Sequence, residues 1–243
     1  MSATEHATVH GSPGEGARMA GLGRAIWPLL AAVFAAGAVM GATLGPYVDR
    51  WVVGVFLVLA GLLLLRGVFV CRSRVAAFFK GAAGEEIVAR ELSRLPVGYH
   101  VFHALDAGGG LLMWRGGDMD HVVAGPSGVF VVETKNWRGE VSLSGNQLQL
   151  DGAATQRNPL EQVRAAVSQL QVRLGRGGIY HVNVVPVVCF VNDRFAPGCQ
   201  TVGEVVVCNA ACLLAVLTDA TRDAKAGVDV DGIVRVLQAG RTE

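Results

Sequence analysis

The chain has 243 residues, of which 51% are hydrophobic, and a mean hydropathy of +0.41. This composition is too apolar for a purely water-soluble protein, so a membrane segment has to be sought first. The net charge of +1 is unevenly distributed, because residues 1–80 carry +4 and residues 81–243 carry −3. The acidic balance of the second part argues against strong non-specific binding of nucleic acid, since attraction to phosphate scales with the cations presented.

The first 71 residues predict a membrane anchor. Residues 1–24 show no periodic apolar pattern and are expected to form a flexible tail. Residues 25–48 contain no charged side chain, and residues 51–71 contain only Arg66. Each run approaches or exceeds the roughly 20 residues that a transmembrane helix needs. The sequence therefore predicts a hairpin of two transmembrane helices, with a buried core helix as the alternative for the first run.

The orientation of this hairpin follows from its flanking basic residues. Arg18 and Arg24 precede it, and Arg72, Arg74 and Lys80 follow it. The positive-inside rule then places both ends in the cytoplasm, so we expect a multi-pass protein of the cell membrane with a cytoplasmic C-terminal domain. Small residues in the first run would permit close helix packing in a homo-oligomer. Transport is disfavoured because neither run has an ionisable residue near its middle.

Cysteine usage gives no sign of a disulfide framework. The chain has five cysteines: Cys71, Cys189, Cys199, Cys208 and Cys212. In a cytoplasmic domain they are expected to be reduced thiols. Their spacing matches no common zinc pattern, so they are interpreted as small buried side chains.

Residues 80–243 predict one α/β domain. The expected order is a helix over 84–95, strands over 99–105, 119–124 and 129–135, and a minor hairpin around Gly145. A helix with Asn158 as its cap and Pro159 in its first turn follows. Strands over 181–191 and 205–207 and terminal helices over 210–217 and 229–237 complete the domain.

The strands around the turn Gly125-Pro126-Ser127-Gly128 carry the candidate chemistry. If the strands pair across this turn, Asp120 lies opposite Glu133, and Lys135 shares a face with Glu133. Opposed carboxylates repel each other unless a cation lies between them. Oxygen ligands of this kind favour Mg²⁺, with Mn²⁺ as a substitute. The alternative is a structural salt bridge in a strand pair.

Three further residues are candidates with open alternatives. Glu85 shares the apolar face of its helix with Val88, so it is expected to point inward; alternatively it only favours the positive helix N-terminus. Gln162 could contact the site or lie on the surface, and Arg138 could belong to a local basic patch. His121 alternates away from Asp120 and is expected to be packed or hydrogen-bonded.

Most of residues 80–210 resemble the NERD (nuclease-related) domain of the PD-(D/E)XK superfamily. The resemblance rests on Gly81-Ala82-Ala83-Gly84-Glu85, Asp120-His121-Val122-Val123, the segment 125–139, and Asn158-Pro159 with Gln162. It implies a restriction-endonuclease-like mixed sheet flanked by helices, which matches the predicted order of elements.

The resemblance also implies an activity. Asp120 and Glu133 would bind Mg²⁺, Lys135 would position or activate water, and Glu85 would support the metal shell. Independently of the resemblance, Arg138 and Gln162 are candidates for contact with the substrate, a nucleic acid that we expect to be DNA. The protein would then be a membrane-anchored nuclease. The alternative is a membrane-tethered binding module of the same fold, without cleavage.

Overall fold

The structure is a computed structural model. It describes residues 6–14, 30–39, 41, 49–106, 119–155, 158–192, 195–219 and 229–239. The chain divides into two compact units, one formed by residues 1–15 and 83–243 and the other by residues 16–82.

The described residues contain one long helix and three shorter helices whose ends are defined. They are α1 (Arg50–Leu92), α2 (Pro159–Arg176), α3 (Ala210–Thr218) and α4 (Val230–Ala239). Residues 30–39 and 41 are also helical. Residues 84–92 of the predicted helix are thus the last part of α1, and the prediction that a new helix begins after Gly84 is wrong.

The predicted membrane hairpin is not supported. Within the part of the chain that the structure describes, no helix combines the length and apolar character needed to cross a membrane. Residues 25–29, 40 and 42–48 of the first predicted span lie outside the described residues, as do residues 1–5 and 15–24 of the predicted tail.

The strands form one large and one small sheet. The large sheet has the order β1-β2-β3-β4-β8-β10-β9, and the small one has the order β5-β6-β7. The strands are β1 (Thr8–His10), β2 (His100–Leu105), β3 (Met119–Gly125), β4 (Gly128–Lys135), β5 (Val141–Ser144), β6 (Gln147–Leu150), β7 (Ala153–Ala154), β8 (Val184–Phe190), β9 (Cys199–Val202) and β10 (Val205–Asn209). The mixed α/β architecture with helices flanking a large sheet is as predicted.

β1 corrects the expectation of a structureless tail. Thr8–His10 pair in parallel with His100–Phe102 and so extend the large sheet at its edge. Three residues without a marked alternation of apolar side chains give too weak a pattern to be recognised as a strand from sequence.

The core lies on both faces of the large sheet. One face packs Val131 and Val188 against α2 and α4 through residues such as Leu170 and Leu237. The other packs Val123 and its neighbours against the end of α1 and against α3. The start of α2 is the predicted one, since Asn158 Oδ1 accepts a 3.1 Å hydrogen bond from the N–H of Leu160.

Candidate active site

The β3–β4 hairpin has the predicted register. Gly125 pairs with Gly128 and His121 with Val132 across the two-residue turn. Asp120 and Glu133 occupy the next facing positions beyond the His121–Val132 pair. The tight turn fixes this register, because in a hairpin the loop length determines which residues face each other.

Asp120 is held by the backbone of the facing strand. Its Oδ2 accepts a 2.7 Å hydrogen bond from the N–H of Thr134. On the same strand, Lys135 Nζ lies 2.5 Å from Glu133 Oε1, and these two side chains are only 16% and 15% exposed. The structure therefore brings Asp120, Glu133 and Lys135 together, with one ammonium group among the carboxylates.

The electrostatics of Asp120 show that a third carboxylate is close. Burial of its carboxyl group raises the pKa of Asp120 well above its usual range, and the charges of Glu133 and then Glu85 raise it further. The Thr134 hydrogen bond and the Lys135 charge act in the opposite direction and lower the pKa. Burial is the largest of these causes, so the carboxyl group of Asp120 is shifted toward its neutral form in spite of the Lys135 charge.

Glu85 reaches this cluster because α1 approaches β4 closely. A Cβ atom on Gly84 would lie 2.8 Å from Asn136 Cβ, so only glycine permits this distance. Glu85 is 9% exposed, and its Oε2 accepts a 3.0 Å hydrogen bond from the N–H of Gly14. The interpretation that Glu85 points inward is confirmed.

Gln162 lies in the first turns of α2. This helix packs against the sheet face on which the side chain of Val131 in β4 lies. Because α2 runs back between the parallel strands β4 and β8, its start lies toward the carboxyl ends of both strands. The Gln162 Oε1 atom is buried without a hydrogen-bond partner among the described residues. Such an acceptor is costly unless a donor reaches it, so Gln162 stays a candidate for contact with a ligand or water.

The basic patch suggested for Arg138 does not include every arginine of the domain. Arg164 forms an ion pair with Glu204 at 2.5 Å. Arg173 donates to the carbonyl oxygens of Asp106 and Leu237. Arg138 is exposed just beyond β4. Arg138 follows Lys135 by three residues and stays a candidate for contact with a substrate.

Two of the candidate residues, Asp120 and Glu133, could bind a divalent cation through their carboxylate oxygens. Over the described ranges, no group of three or more His, Cys, Asp or Glu side chains is arranged to hold a metal ion. Asp120 and Glu133 nevertheless offer oxygen donors, and the charge of Glu133 contributes, after burial, to the raised pKa of Asp120, an effect that a cation beside both would oppose. Two carboxylates with water in the other positions suit Mg²⁺, which usually retains several waters.

His121 lies on the opposite sheet face, as its alternation with Asp120 predicted. Its Nδ1 lies 2.7 Å from His103 Nδ1 in the buried core. Burial, followed by the nearby His103, lowers the pKa of His121 well below its usual range. This residue is therefore a packed neutral histidine and not part of the carboxylate cluster.

Sequence reasoning missed two residues that build the site. Gly84 was interpreted as the start of a helix, whereas it is the contact point between α1 and Asn136. Gly14 was placed in a tail, whereas it binds Glu85. The small residues before Glu85 could have indicated close packing, but nothing in residues 6–14 points to a partner so distant in sequence.

Part of the chain is similar to a known protein family. Residues 80–191 match the model of NERD, the nuclease-related domain. The match includes Glu85 and the entire β3–β4 hairpin, so all four candidate residues lie inside the matched segment.

A curated relative is an uncharacterized protein of Bacillus anthracis. It is 45% identical over 65 residues, which cover 25% of this chain and 28% of the relative. The match thus spans little more than a quarter of the relative's length. No solved structure matches the chain.

Proposed function

We propose that the chain is a metal-dependent nuclease that hydrolyses phosphodiester bonds, with DNA as its substrate. The observation that supports this proposal is that Lys135 forms an ion pair with Glu133 while the charges of Glu133 and Glu85 both act on the facing carboxyl group of Asp120. The nuclease-related domain at residues 80–191 agrees with it.

Each residue then has a definite task. Asp120 and Glu133 hold a divalent cation, which when bound stabilises negative charge on the phosphate as a Lewis acid. Lys135, beside Glu133, orients an attacking water and stabilises the hydroxide character that develops on it. The Thr134 N–H keeps Asp120 oriented. Arg138 and the buried acceptor of Gln162 contact the nucleic acid.

The test is cleavage of end-labelled single-stranded and double-stranded DNA and RNA by the full chain in detergent, with Mg²⁺ or Mn²⁺. Glu133→Gln and Lys135→Met should each reduce the rate at least about 100-fold, the usual scale for loss of a group that stabilises the transition state. Glu140→Gln is the matched control, because Glu140 is exposed and close in sequence. A folded chain that is inert with both metals on all substrates would refute the nuclease.

A non-catalytic binding module is the second candidate. The acidic balance of residues 81–243 and the engagement of Arg164 and Arg173 elsewhere limit phosphate binding and so favour a protein as the partner of such a module. Nucleic acid or protein binding that survives Glu133→Gln and Lys135→Met, in the absence of any cleavage, would establish this function instead.

We also propose that the apolar segment, residues 25–71, anchors the protein in a lipid bilayer. Six large apolar side chains of α1 are between 49% and 71% exposed: Trp51, Val55, Val58, Leu59, Leu62 and Leu65. Exposed apolar surface of this extent favours contact with lipid or another apolar surface.

Membrane anchoring is tested by flotation of the full chain with phospholipid vesicles and by extraction of cell membranes at alkaline pH. The chain should float with the vesicles and resist extraction, whereas Leu62→Glu combined with Leu65→Glu should weaken both. Val97→Glu is a control outside the segment, because Val97 is also a large exposed apolar residue. Recovery of the unaltered chain in the soluble fraction would refute the anchor.

A further inference from the structure

A row of three aromatic side chains runs from the core toward the surface near Lys135. Phe190 and Phe195 are buried, and their ring centroids lie 6.1 Å apart. The ring of Trp137 continues the row, with its centroid 5.3 Å from that of Phe190. Trp137 packs against the same core but is only partly buried. Of these three rings, the indole is therefore the one that a ligand can reach.

This row lies on the sheet face to which the charged residues project. Lys135 faces Phe190 in the parallel ladder between β4 and β8, and Glu133 faces Val188 in the same ladder. Residues that face each other on neighbouring strands project to the same side of the sheet, with the strands about 5 Å apart. Val188 and Phe190 belong to the core on the α2 side, against which Trp137 also packs. The indole therefore contacts the residue directly beside Lys135.

The core supports the indole without enclosing it. The ring planes of Trp137 and Phe190 are tilted by 56°, so Phe190 does not lie flat on the indole. Tilted pairs are a favourable arrangement of aromatic rings, and they hold the side chain in place. A side chain that is already fixed loses little conformational freedom when a ligand binds. Trp137 is thus a preorganised apolar surface, followed in the chain by the exposed Arg138.

Nucleic acid bound at this site needs a source of affinity that does not depend on charge. Residues 81–243 carry a net charge of −3, and Arg164 and Arg173 are engaged elsewhere. Stacking of a base on an aromatic side chain supplies such affinity, because every base has a π-face. In a duplex the faces of the bases are covered by their neighbours, so this contact suits unpaired bases. A single strand is therefore the form of nucleic acid that the indole fits.

We propose that Trp137 is a stacking platform for an unpaired base of single-stranded DNA, and that this contact places the neighbouring phosphate beside Lys135. This role rests on the proposed nuclease for its ligand, whereas the stacking contact itself uses no metal ion. It makes single-stranded DNA the preferred substrate of the proposed nuclease. Loss of one such contact weakens binding by about 5–150-fold.

The test compares two fluorescein-labelled single strands of equal length. One strand carries bases, and the other has abasic residues at its internal positions and therefore presents the same phosphates without the bases. Their affinities for the full chain in detergent are measured by fluorescence anisotropy, with EDTA present so that no cleavage occurs. The natural chain should bind the strand with bases at least about tenfold more tightly than the abasic strand.

Three variants separate stacking from packing. Trp137→Leu keeps an apolar side chain on the core, so it should lose at least about fivefold in affinity for the strand with bases and nothing for the abasic strand. Trp137→Phe keeps a ring and should retain most of the preference. Tyr180→Leu is the matched control, because Tyr180 is 69% exposed and follows the far end of α2.

Two results would overturn the role of Trp137. If Trp137→Leu weakens the binding of both strands equally, the indole acts only on the packing of the domain. If the natural chain binds both strands with equal affinity, or binds neither, no base stacks at this site.

The failure of this inference is distinguishable from the failure of the nuclease. A chain that prefers the strand with bases through Trp137 but cleaves nothing with Mg²⁺ or Mn²⁺ refutes the nuclease and leaves the stacking platform standing. A chain that cleaves DNA but shows no base-dependent binding refutes the stacking platform and leaves the nuclease standing.

Discussion

The N–H of Thr134 donates a 2.7 Å hydrogen bond to Oδ2 of Asp120. The residue between Glu133 and Lys135 therefore orients the carboxylate of the facing strand, while its two neighbours form an ion pair with each other. Strand alternation makes this possible, because side chains 133 and 135 project to one face and the backbone N–H of residue 134 points along the sheet. The hairpin thus provides both the charged groups and the support for one of them.

Asp120→Asn should stabilise the protein while abolishing cleavage. The amide removes a buried charge that Glu133 and Glu85 disfavour, and its oxygen still accepts the Thr134 hydrogen bond. We expect the free energy of unfolding to rise by about 1 kcal/mol without divalent cations, as is common when a charge at a functional site is removed. Denaturant unfolding and the cleavage assay measure the two effects. A variant that is less stable and still active would contradict this prediction.

The stability contributed by Asp120 should depend on pH in a definite direction. Because its folded pKa is raised, the folded state binds more protons, so stability falls as pH rises from about 4 toward the folded pKa. The stability difference between the natural chain and Asp120→Asn should therefore vanish near pH 4 and grow above it. Addition of Mg²⁺ at neutral pH should reduce this difference. A pH-independent difference would count against the charge cluster.

His121 should produce the opposite pH dependence. Burial lowers its pKa in the folded state, so its contribution is fully present above about pH 6.5 and is lost as pH falls below that value. His121→Gln should reduce the loss of folding stability at acidic pH, whereas His181→Gln, at an exposed histidine, should leave that loss unchanged. Denaturant unfolding at a series of pH values measures both, and equal profiles for the two variants would refute the assignment.

Lys135→Arg tests whether the role of Lys135 depends on its positive charge alone or also on the position of its ammonium group. The guanidinium keeps a positive charge beside Glu133, so we expect it to restore most of the stability that Lys135→Met loses. It cannot place a compact ammonium group at the same point, so cleavage should stay at least about tenfold below that of the natural chain. Single-turnover cleavage and denaturant unfolding test the two parts. Full activity in the arginine variant would show that charge alone suffices.

Gly84 and Gly81 form a matched pair for testing the approach of α1 to the site. Gly84→Ala places a methyl group 2.8 Å from Asn136 Cβ and should cost about 1–3 kcal/mol of stability and reduce cleavage. Gly81→Ala meets nothing within 4 Å and should be neutral or stabilise the helix by about 0.5–1 kcal/mol. Thermal unfolding measures both, and identical effects would show that Gly84 is not a contact point.

The hairpin site was predictable because its determinants are local. The turn at Pro126 and Ser127 fixes the register, and alternation then determines which face each carboxylate occupies. The continuity of α1 through Gly81 and Gly84 was not predictable, since glycine in a helix usually marks an end and its packing use depends on Asn136, which is distant in sequence. The contact between Gly14 and Glu85 was hidden for the same reason.

The pairing of β1 with β2 has a consequence for biosynthesis. β1 leaves the ribosome before its partner β2, which follows only after the apolar segment between them has been made, as the 90-residue separation of His10 and His100 shows. The nascent chain must keep residues 8–10 available throughout that interval. Final closure of the sheet edge, and with it the placement of Glu85, is therefore a late event in the maturation of the protein.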